Sequence, residues 1–288
     1  MNVLVTGANG QLGRSIRKEA ENSKDNYIFT DVSELDITDP EAVKKFVDEK
    51  DVDVIVNCAA YTNVDAAEDN ESLALKINGE APGILARAIK ERGGSLIHIS
   101  TDYVFGGAGK NTPISEKQPA SPTGAYGRTK LAGEKEIEKS GASAIILRTA
   151  WLYSDYGNNF VEKILSLIRN RDSIKVVFDQ CGTPTYATDL AKAIVDIIER
   201  RQIRGKEGIY HFSNEGVCSW YDFAHSAVNL AGIKDKEVLP CHSSEFPSKV
   251  IRPSYSVLDK TKYKTTFNRP IPHWHDSLKE CLSKTQNL

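Results

Sequence analysis

The apolar positions of the first 150 residues fall into short runs that alternate with longer amphipathic stretches. The short runs are rich in β-branched residues, which is typical of strands buried in a parallel sheet: Val3–Val5, Tyr27–Phe29, Val52–Val56, Leu96–Ile99 and Ala144–Leu147. The stretches between them predict four helices: Gln11–Glu21, Pro40–Glu49, Glu71–Arg92 and Ala125–Lys139. Such repeated β-α-β units predict an α/β fold, a Rossmann-type doubly wound parallel sheet covered by helices on both faces.

The pattern is less regular in the second half of the chain. Helices are predicted over Asn159–Arg169, Thr188–Arg200, Ser219–Leu230 and Trp274–Ser283, and eight of the 11 prolines follow residue 115. No linker rich in glycine and serine separates the two halves. We therefore expect a cofactor-binding Rossmann domain over residues 1–150 and a smaller α/β substrate-binding lobe over residues 151–288. Some segments of the second part are expected to return to the first.

The composition excludes several classes of protein. The 37 lysines and arginines are balanced by 39 acidic residues, so no basic surplus predicts a nucleic-acid partner. No apolar run approaches the roughly 18 residues that a membrane span needs. The five cysteines are widely spaced and form no Cys-x-x-Cys pair, which favours free thiols over disulfides or a zinc site. We expect a cytoplasmic protein.

A glycine-rich segment follows the first predicted strand and opens the first helix. Gly7 and Gly10 allow a tight turn and the close approach of a pyrophosphate, while Gly13 lets the helix pack closely on the strand. Asp31 ends the second strand, where a carboxylate accepts the adenosine ribose hydroxyls of NAD. NADP would need a cation beside this charge, for which Arg14 is a candidate. The choice between NADH and NADPH stays open.

Tyr126 and Lys130 stand at i and i+4 on one face of the predicted helix before the fifth strand. Thr101 ends the fourth strand, and ligands of open α/β sheets collect at that edge. A ketone that receives hydride needs a proton donor at its oxygen, a role that Tyr126 can fill. Lys130 and a cationic nicotinamide would lower its pKa from about 10 toward 7. Lys130 could also hold the nicotinamide ribose, and Thr101 could hydrogen-bond the substrate oxygen.

The combined motifs resemble a known enzyme family. The glycine spacing, Asn57–Ala60, Ser100–Phe105 and the Tyr126-x-x-x-Lys130 pair are similar to the extended short-chain dehydrogenase/reductases. Within that family, further segments resemble the dTDP-4-dehydrorhamnose reductases: Tyr61–Glu68, Arg148–Tyr153, Gly157–Phe160, Asp179–Thr185 and Arg252-Pro253. The resemblance implies NADPH- or NADH-dependent reduction of the C4 ketone of dTDP-4-dehydro-L-rhamnose, which yields dTDP-L-rhamnose.

The resemblance also implies roles for individual residues by position. The cofactor would be contacted by Gly10, Gln11 and Leu12 at its phosphates, by Asp31, Asp36 and Ile37 at its adenosine, and by Ala60, Tyr61, Thr62, Tyr126 and Lys130. The substrate would be contacted by Thr101, Asp102, Val64, Asp65 and Trp151. Arg252 is either a partner of the substrate pyrophosphate or a member of a surface ion pair. Trp151 either stacks on the substrate or covers the core.

No metal site is predicted. Some members of the family form a magnesium-bridged dimer through acidic residues, one of them in the first helix, but Ser15 stands at the matching position here. His273 and His275 lack nearby cysteine or carboxylate ligands. We therefore expect a monomer or a homodimer, with no support for Mg²⁺.

One neighbouring class is excluded, and two alternatives to the leading hypothesis remain open. Related sugar-nucleotide dehydratases carry a glutamate where this chain has Tyr103, and without that carboxylate the elimination of water lacks its base. A reductase of another 4-keto-6-deoxy sugar nucleotide would share all the motifs. A third alternative is a non-catalytic subunit resembling the regulatory subunit of methionine adenosyltransferase, which the intact Tyr126 and Lys130 pair disfavours.

Overall fold

The centre of the molecule is a six-stranded, entirely parallel sheet. A computed structural model describes residues 1–106, 111–246 and 248–285. The sheet strands are β1 (Asn2–Thr6), β2 (Asn26–Thr30), β3 (Val54–Asn57), β4 (Ser95–Thr101), β5 (Ser143–Thr149) and β10 (Gly208–His211). Their order is β2-β1-β3-β4-β5-β10, so the direction of the chain across the sheet reverses beside β1. The predicted α/β fold is confirmed, and this reversal is where such sheets bind ligands.

Helices cover both faces of the sheet and build much of the second half. They are α1 (Gln11–Glu19), α2 (Pro40–Glu49), α3 (Val64–Asp69), α4 (Glu71–Leu75), α5 (Ala81–Glu91), α6 (Ala125–Ser140), α7 (Phe160–Arg169), α8 (Ala187–Glu199), α9 (Trp220–Leu230), α10 (Thr261–Phe267) and α11 (Trp274–Thr285). Helix α2 begins as its sequence predicts, because the Asp39 carboxylate accepts hydrogen bonds from the N–H groups of Glu41 and Ala42, ahead of Pro40. In the described ranges, no helix is long and apolar enough to cross a membrane.

The continuous helix predicted over Glu71–Arg92 is wrong. Helices α4 and α5 are separated by a π-helical turn at Lys76–Glu80. This turn carries the fully buried Asn78, whose side chain accepts from the Tyr61 N–H and donates to the Tyr61 carbonyl. A π-turn adds a residue to the helical repeat and is frequent at functional sites. Its role here is to fix the segment that follows β3.

Small paired strands complete the second half: β6 (Leu152–Tyr153) with β9 (Thr185–Tyr186), β8 (Cys181–Gly182) with β11 (Cys218–Ser219), and β7 (Ser173–Val177) with β12 (Glu237–Cys241). Helices α7, α9 and α11 share one apolar core with β7 and β12. By contrast, α8, β10 and α10 share the core of β1 and β3. The second half therefore contributes to two cores, because the edge of β5 and the outer face of α1 are both covered by its segments.

Candidate active site

A cleft of about 950 Å³ runs along the carboxyl edge of the sheet, between the two halves of the chain. Its walls come from the loops after β1 to β5 and from second-half residues that include Asn158, Asn159, Trp220 and Arg252. A hydrogen bond joins the two halves at the cleft: the Ser154 hydroxyl donates to Gln11 Oε1 at 2.9 Å. Ligands that contact both halves would fit this cleft.

The glycine loop lies at one end of the cleft and is built for close approach. Gly7 has a φ of +64°, and a Cβ there would stand 2.6 Å from the Ala59 nitrogen. A Cβ on Gly13 would stand 2.5 Å from the Gly7 carbonyl oxygen. Gly10 precedes α1 without a side-chain cap, so the first-turn N–H groups of α1 are open to an anion. The predicted Gly7, Gly10, Gln11, Leu12 and Gly13 all line the cleft, and the loop fits a dinucleotide pyrophosphate.

The end of the cleft beside β2, where adenosine is predicted to bind, carries a fixed carboxylate. Asp31 accepts from the N–H groups of Asn9 at 3.1 Å and Val32 at 2.9 Å. The predicted Asp36 and Ile37 also line the cleft there, and the Thr38 hydroxyl lowers the pKa of Asp36. The cation expected at Arg14 is not there, because its guanidinium lies 4.6 Å above the Tyr156 ring. Lys76, which the sequence did not single out, lines this end instead.

The three predicted catalytic residues line the middle of the cleft. The Tyr126 phenol lies beside the Thr101 side chain, which acts to lower its pKa, and Tyr103 packs edge-on against its ring with 5.5 Å between the ring centroids. Lys130 turns toward β4, where its Nζ donates to the Ile99 carbonyl at 2.6 Å. The protein's own groups do not produce the predicted lowering of the Tyr126 pKa. Burial raises that pKa instead, because enclosure disfavours the charged form of the phenol and the nearby Asp102 and Tyr103 act in the same direction.

Burial also changes the ionisation of Lys130 and Asp102. It lowers the pKa of Lys130 to about 8 and raises the pKa of Asp102 to about 6. Asp102 Oδ1 accepts from the Thr101 hydroxyl at 3.0 Å, and its buried Oδ2 has no hydrogen-bond partner among the described residues. A buried acceptor without a partner is costly and is commonly found where a ligand binds. Asp102 also lines the cleft, which is consistent with its predicted place among the substrate contacts.

Two stacked tryptophans line the cleft beyond the catalytic residues. The rings of Trp151 and Trp220 are 3.6 Å apart between centroids and 12° from parallel. Trp151 has a φ of +50°, an uncommon value for a residue other than glycine. It packs on the core and also lines the cleft, so the core-covering role is confirmed and stacking on a substrate stays a prediction. Trp220 was missed, and its signal in the sequence is the capping box of Ser219 and Asp222 that starts α9 beside the cleft.

The remaining predicted residues divide between the cleft and its surroundings. Ala60, Thr62, Val64 and Arg252 line the cleft. Arg252 also lies 3.5 Å from the Asp65 carboxylate, so it combines a surface ion pair with a position in the cleft. Asp65 and Tyr61 are not among the lining residues. The cofactor contact of Tyr61 stays a prediction: the π-turn residue Asn78 binds the Tyr61 backbone, and the Tyr61 side chain packs on a small buried alanine cluster.

A buried ion pair supports the helix that carries the catalytic pair. Glu134 accepts from Arg148 on β5 at 2.9 and 2.6 Å, and from the Ser100 hydroxyl at 2.5 Å. All three residues are buried. These bonds hold α6 against the carboxyl ends of β4 and β5, which fixes Tyr126 and Lys130 relative to Thr101.

The residues considered for metal binding have other surroundings. Ser15 is buried, and its hydroxyl donates to the Gln11 carbonyl within α1. Across residues 1–106, 111–246 and 248–285, no group of three potential metal ligands occurs.

Comparison with known proteins assigns the whole chain to one family. Residues 1–287 match the family described as the RmlD substrate binding domain. A dTDP-4-dehydrorhamnose reductase of Mycolicibacterium smegmatis is 38% identical over 283 residues, which cover 98% of this chain and 85% of that protein.

Solved structures agree with this assignment. A dTDP-4-dehydrorhamnose reductase from Clostridium acetobutylicum superposes with a TM-score of 0.94 at 44% identity, covering 99% of this chain and 100% of the other. The same enzyme from Bacillus anthracis, in complex with NADP, gives a TM-score of 0.93 at 37% identity and covers 99% of each chain. The chain therefore belongs to the RmlD substrate binding domain family, together with the dTDP-4-dehydrorhamnose reductases that it matches along its whole length.

Proposed function

We propose that this chain reduces the C4 ketone of dTDP-4-dehydro-L-rhamnose to the alcohol of dTDP-L-rhamnose, with NADPH or NADH as the reductant. The observation that carries the proposal is that Tyr126, Thr101 and Lys130 together line the middle of one cleft, with the Thr101 side chain beside the Tyr126 phenol. The glycine loop lies at one end of this cleft, and Trp151, Trp220 and Arg252 lie along its second-half wall. A proton donor therefore stands between a dinucleotide site and room for a second ligand.

The dinucleotide would bind with its pyrophosphate on the glycine loop and its adenosine beside Asp31, Asp36 and Ile37. When bound, it supplies the hydride. Lys130 would hold the ribose next to the nicotinamide, since its Nζ is anchored by only one described backbone acceptor, the Ile99 carbonyl. Ala60 and Thr62 flank the same part of the cleft.

The chain's own chemistry is the placement of one proton. As hydride reaches the ketone carbon, the electron pair of the C=O bond moves to oxygen, which takes the proton of Tyr126. The raised pKa of Tyr126 keeps that phenol protonated until the ketone arrives, which suits a reductase. Thr101 hydrogen-bonds the same oxygen, and the resulting phenolate regains its proton from solvent. Asp102 and Arg252 would bind the sugar and the pyrophosphate.

We also infer the setting in which this chain works. Residues 1–150 would form the cofactor-binding part and residues 151–288 the sugar-nucleotide-binding part, with α8, β10 and α10 returning to the sheet. A nucleotide cofactor, a nucleotide-sugar substrate and the five free cysteines favour the cytoplasm. The protein would act as a monomer or a homodimer.

The test follows the absorbance of NADPH or NADH when the purified protein meets dTDP-4-dehydro-L-rhamnose. We expect turnover by the wild type and a loss of roughly 10²- to 10⁴-fold in kcat for Tyr126→Phe, because only the acid is removed. Tyr156→Phe is the matched control and should retain activity, since Tyr156 packs on Arg14 away from the catalytic residues. Oxidation of neither cofactor by folded protein, or turnover only with other keto-sugar nucleotides, would refute the proposal.

A further inference from the structure

Three polar side chains form a row across the buried face of the central sheet. The strand register pairs Thr6 of β1 with Asn57 of β3, and Asn57 with His98 of β4. All three are buried, and Asn57 and His98 have no exposed surface. The Thr6 hydroxyl donates to Asn57 Oδ1 at 2.8 Å, and Asn57 Nδ2 lies 3.1 Å from His98 Nδ1. Buried polar groups are costly unless hydrogen-bonded, so this Thr6–Asn57–His98 row needs a function.

The row ends at Lys130. His98 Nε2 lies 3.4 Å from Lys130 Nζ, in addition to the Ile99 carbonyl that Nζ contacts. Two other titratable groups face this lysine, Cys58 after β3 and Glu134 on α6. Burial raises the pKa of the Cys58 thiol to about 12, so it carries no charge at neutral pH. Glu134 is bound by Arg148 through both carboxylate oxygens. The His98 imidazole is therefore the neighbour whose proton position can be coupled to the charge of Lys130.

The row determines where the imidazole carries its proton. Burial lowers the pKa of His98 well below its usual value, so the ring is neutral, with one donor and one acceptor nitrogen. Because the Thr6 hydroxyl donates to Asn57 Oδ1, the Asn57 amide presents an N–H to His98 Nδ1. Nδ1 then accepts, and the ring proton is on Nε2, facing Nζ. An amine nitrogen accepts a hydrogen bond only when it is unprotonated.

We propose that His98 is a positioning residue for Lys130: the Thr6–Asn57–His98 row holds the imidazole as its Nε2–H tautomer, which favours the neutral amine of Lys130 before nucleotide binds. Burial of Lys130 acts in the same direction. A neutral amine leaves the proton of Tyr126 in place, ready for transfer. The catalytic meaning rests on the proposed reductase activity, whereas the tautomer and the charge of Lys130 can be measured without any substrate.

The first experiment identifies the tautomer of His98 in the full-length protein without added nucleotide. Protein labelled with ¹⁵N-histidine is examined by long-range ¹H–¹⁵N NMR, and His98→Gln assigns the signals. We expect the pattern of an Nε2–H tautomer at neutral pH. An Nδ1–H tautomer or an imidazolium ring would overturn the proposal, whether or not the protein proves to be a reductase.

The second experiment measures the titration of Lys130 by ¹³C NMR of labelled lysine, assigned with Lys130→Met. In Asn57→Asp the carboxylate binds the Nδ1 proton, so Nε2 becomes an acceptor for the ammonium. The midpoint of Lys130 should rise by one pH unit or more. In the double variant Asn57→Asp/His98→Phe, at least half of that rise should be lost. The new carboxylate then acts on Lys130 only through its own charge and no longer through the imidazole. An unchanged midpoint, or a rise that persists in full with His98→Phe, would overturn the proposal.

A milder pair of variants provides the control. Thr6→Val removes the hydroxyl that orients the Asn57 amide and should also raise the Lys130 midpoint, even if Asn57→Asp fails to fold. Thr30→Val removes a buried hydroxyl on β2, outside the row, whose described partner is the Val5 carbonyl. It should leave the midpoint unchanged. Equal midpoints in the Thr6→Val and Thr30→Val proteins would contradict the proposed role of the row.

Discussion

At the scale of single residues, we predict that Asp31 decides between the two cofactors. Its carboxylate is fixed by two backbone N–H groups, and Arg14 and Arg17 are stacked on Tyr156 and Phe29. A 2′-phosphate would therefore meet a like charge, with Lys76 as the cation on the cleft wall nearby.

We expect a preference for NADH that Asp31→Asn reverses by roughly tenfold or more in the ratio of kcat/KM values, because a charge repulsion of one to a few kcal/mol is removed. Steady-state kinetics with both cofactors measures this ratio. Lys76→Ala is the matched variant and should weaken NADPH use more than NADH use. A ratio that Asp31→Asn leaves unchanged would contradict this assignment.

Asp102, a proposed substrate-binding residue, is expected to lower the stability of the folded protein. Its pKa of about 6 lies above the usual 3.8 of an unfolded chain, so the folded state binds this proton more tightly. The resulting destabilisation is absent below about pH 4, develops between pH 4 and 6, and is complete above pH 6. Asp102→Asn should therefore raise the free energy of unfolding at pH 7 by about 1–3 kcal/mol. It should also impair substrate binding.

Urea denaturation of both proteins at pH 4 and pH 7 provides the measurement. The stability difference between them should be small at pH 4 and large at pH 7. A difference of equal size at the two pH values would show that the Asp102 carboxylate is not the cause.

At the scale of elements, helix α6 depends on the buried pair of Glu134 and Arg148. Glu134→Gln leaves the Arg148 charge buried without its partner, which should lower the free energy of unfolding by about 3–5 kcal/mol. Glu136→Gln on the same helix breaks partly exposed pairs with Lys139 and Arg87 and should cost less than about 1 kcal/mol per pair. Equal losses in urea denaturation of the two variants would contradict the importance of the buried pair.

At the scale of the whole molecule, the two halves of the sequence are not separable. Helix α8 packs on α1, and its Ile194 and Ile198 share a core with Ile16, while β10 covers the edge of β5. A fragment of residues 1–150 would expose this apolar surface and an unpaired strand edge. We expect no cooperative thermal unfolding of that fragment by circular dichroism, in contrast to the full chain. A cooperative transition would show that residues 1–150 fold independently.

The sequence by itself determined the features that depend on neighbours along the chain. The β-branched runs predict β1 to β5 because strands covered by helices on both faces are mostly apolar, and Asp39-Pro40 marks the start of α2. The glycine spacing and the Tyr126–Lys130 pair predict the cofactor loop and the catalytic helix for the same reason: their geometry is local.

Only the tertiary structure decided what depends on residues far apart in sequence. Asn78 turns its helix into a π-helical segment because its partner is Tyr61, and Trp220 reaches the cleft because it stacks on Trp151. Lys130 faces the Ile99 carbonyl and His98, and the burial that raises the pKa of Tyr126 arises from several packed elements. Register, packing and desolvation are properties of assembled strands and helices, and no local pattern contains them.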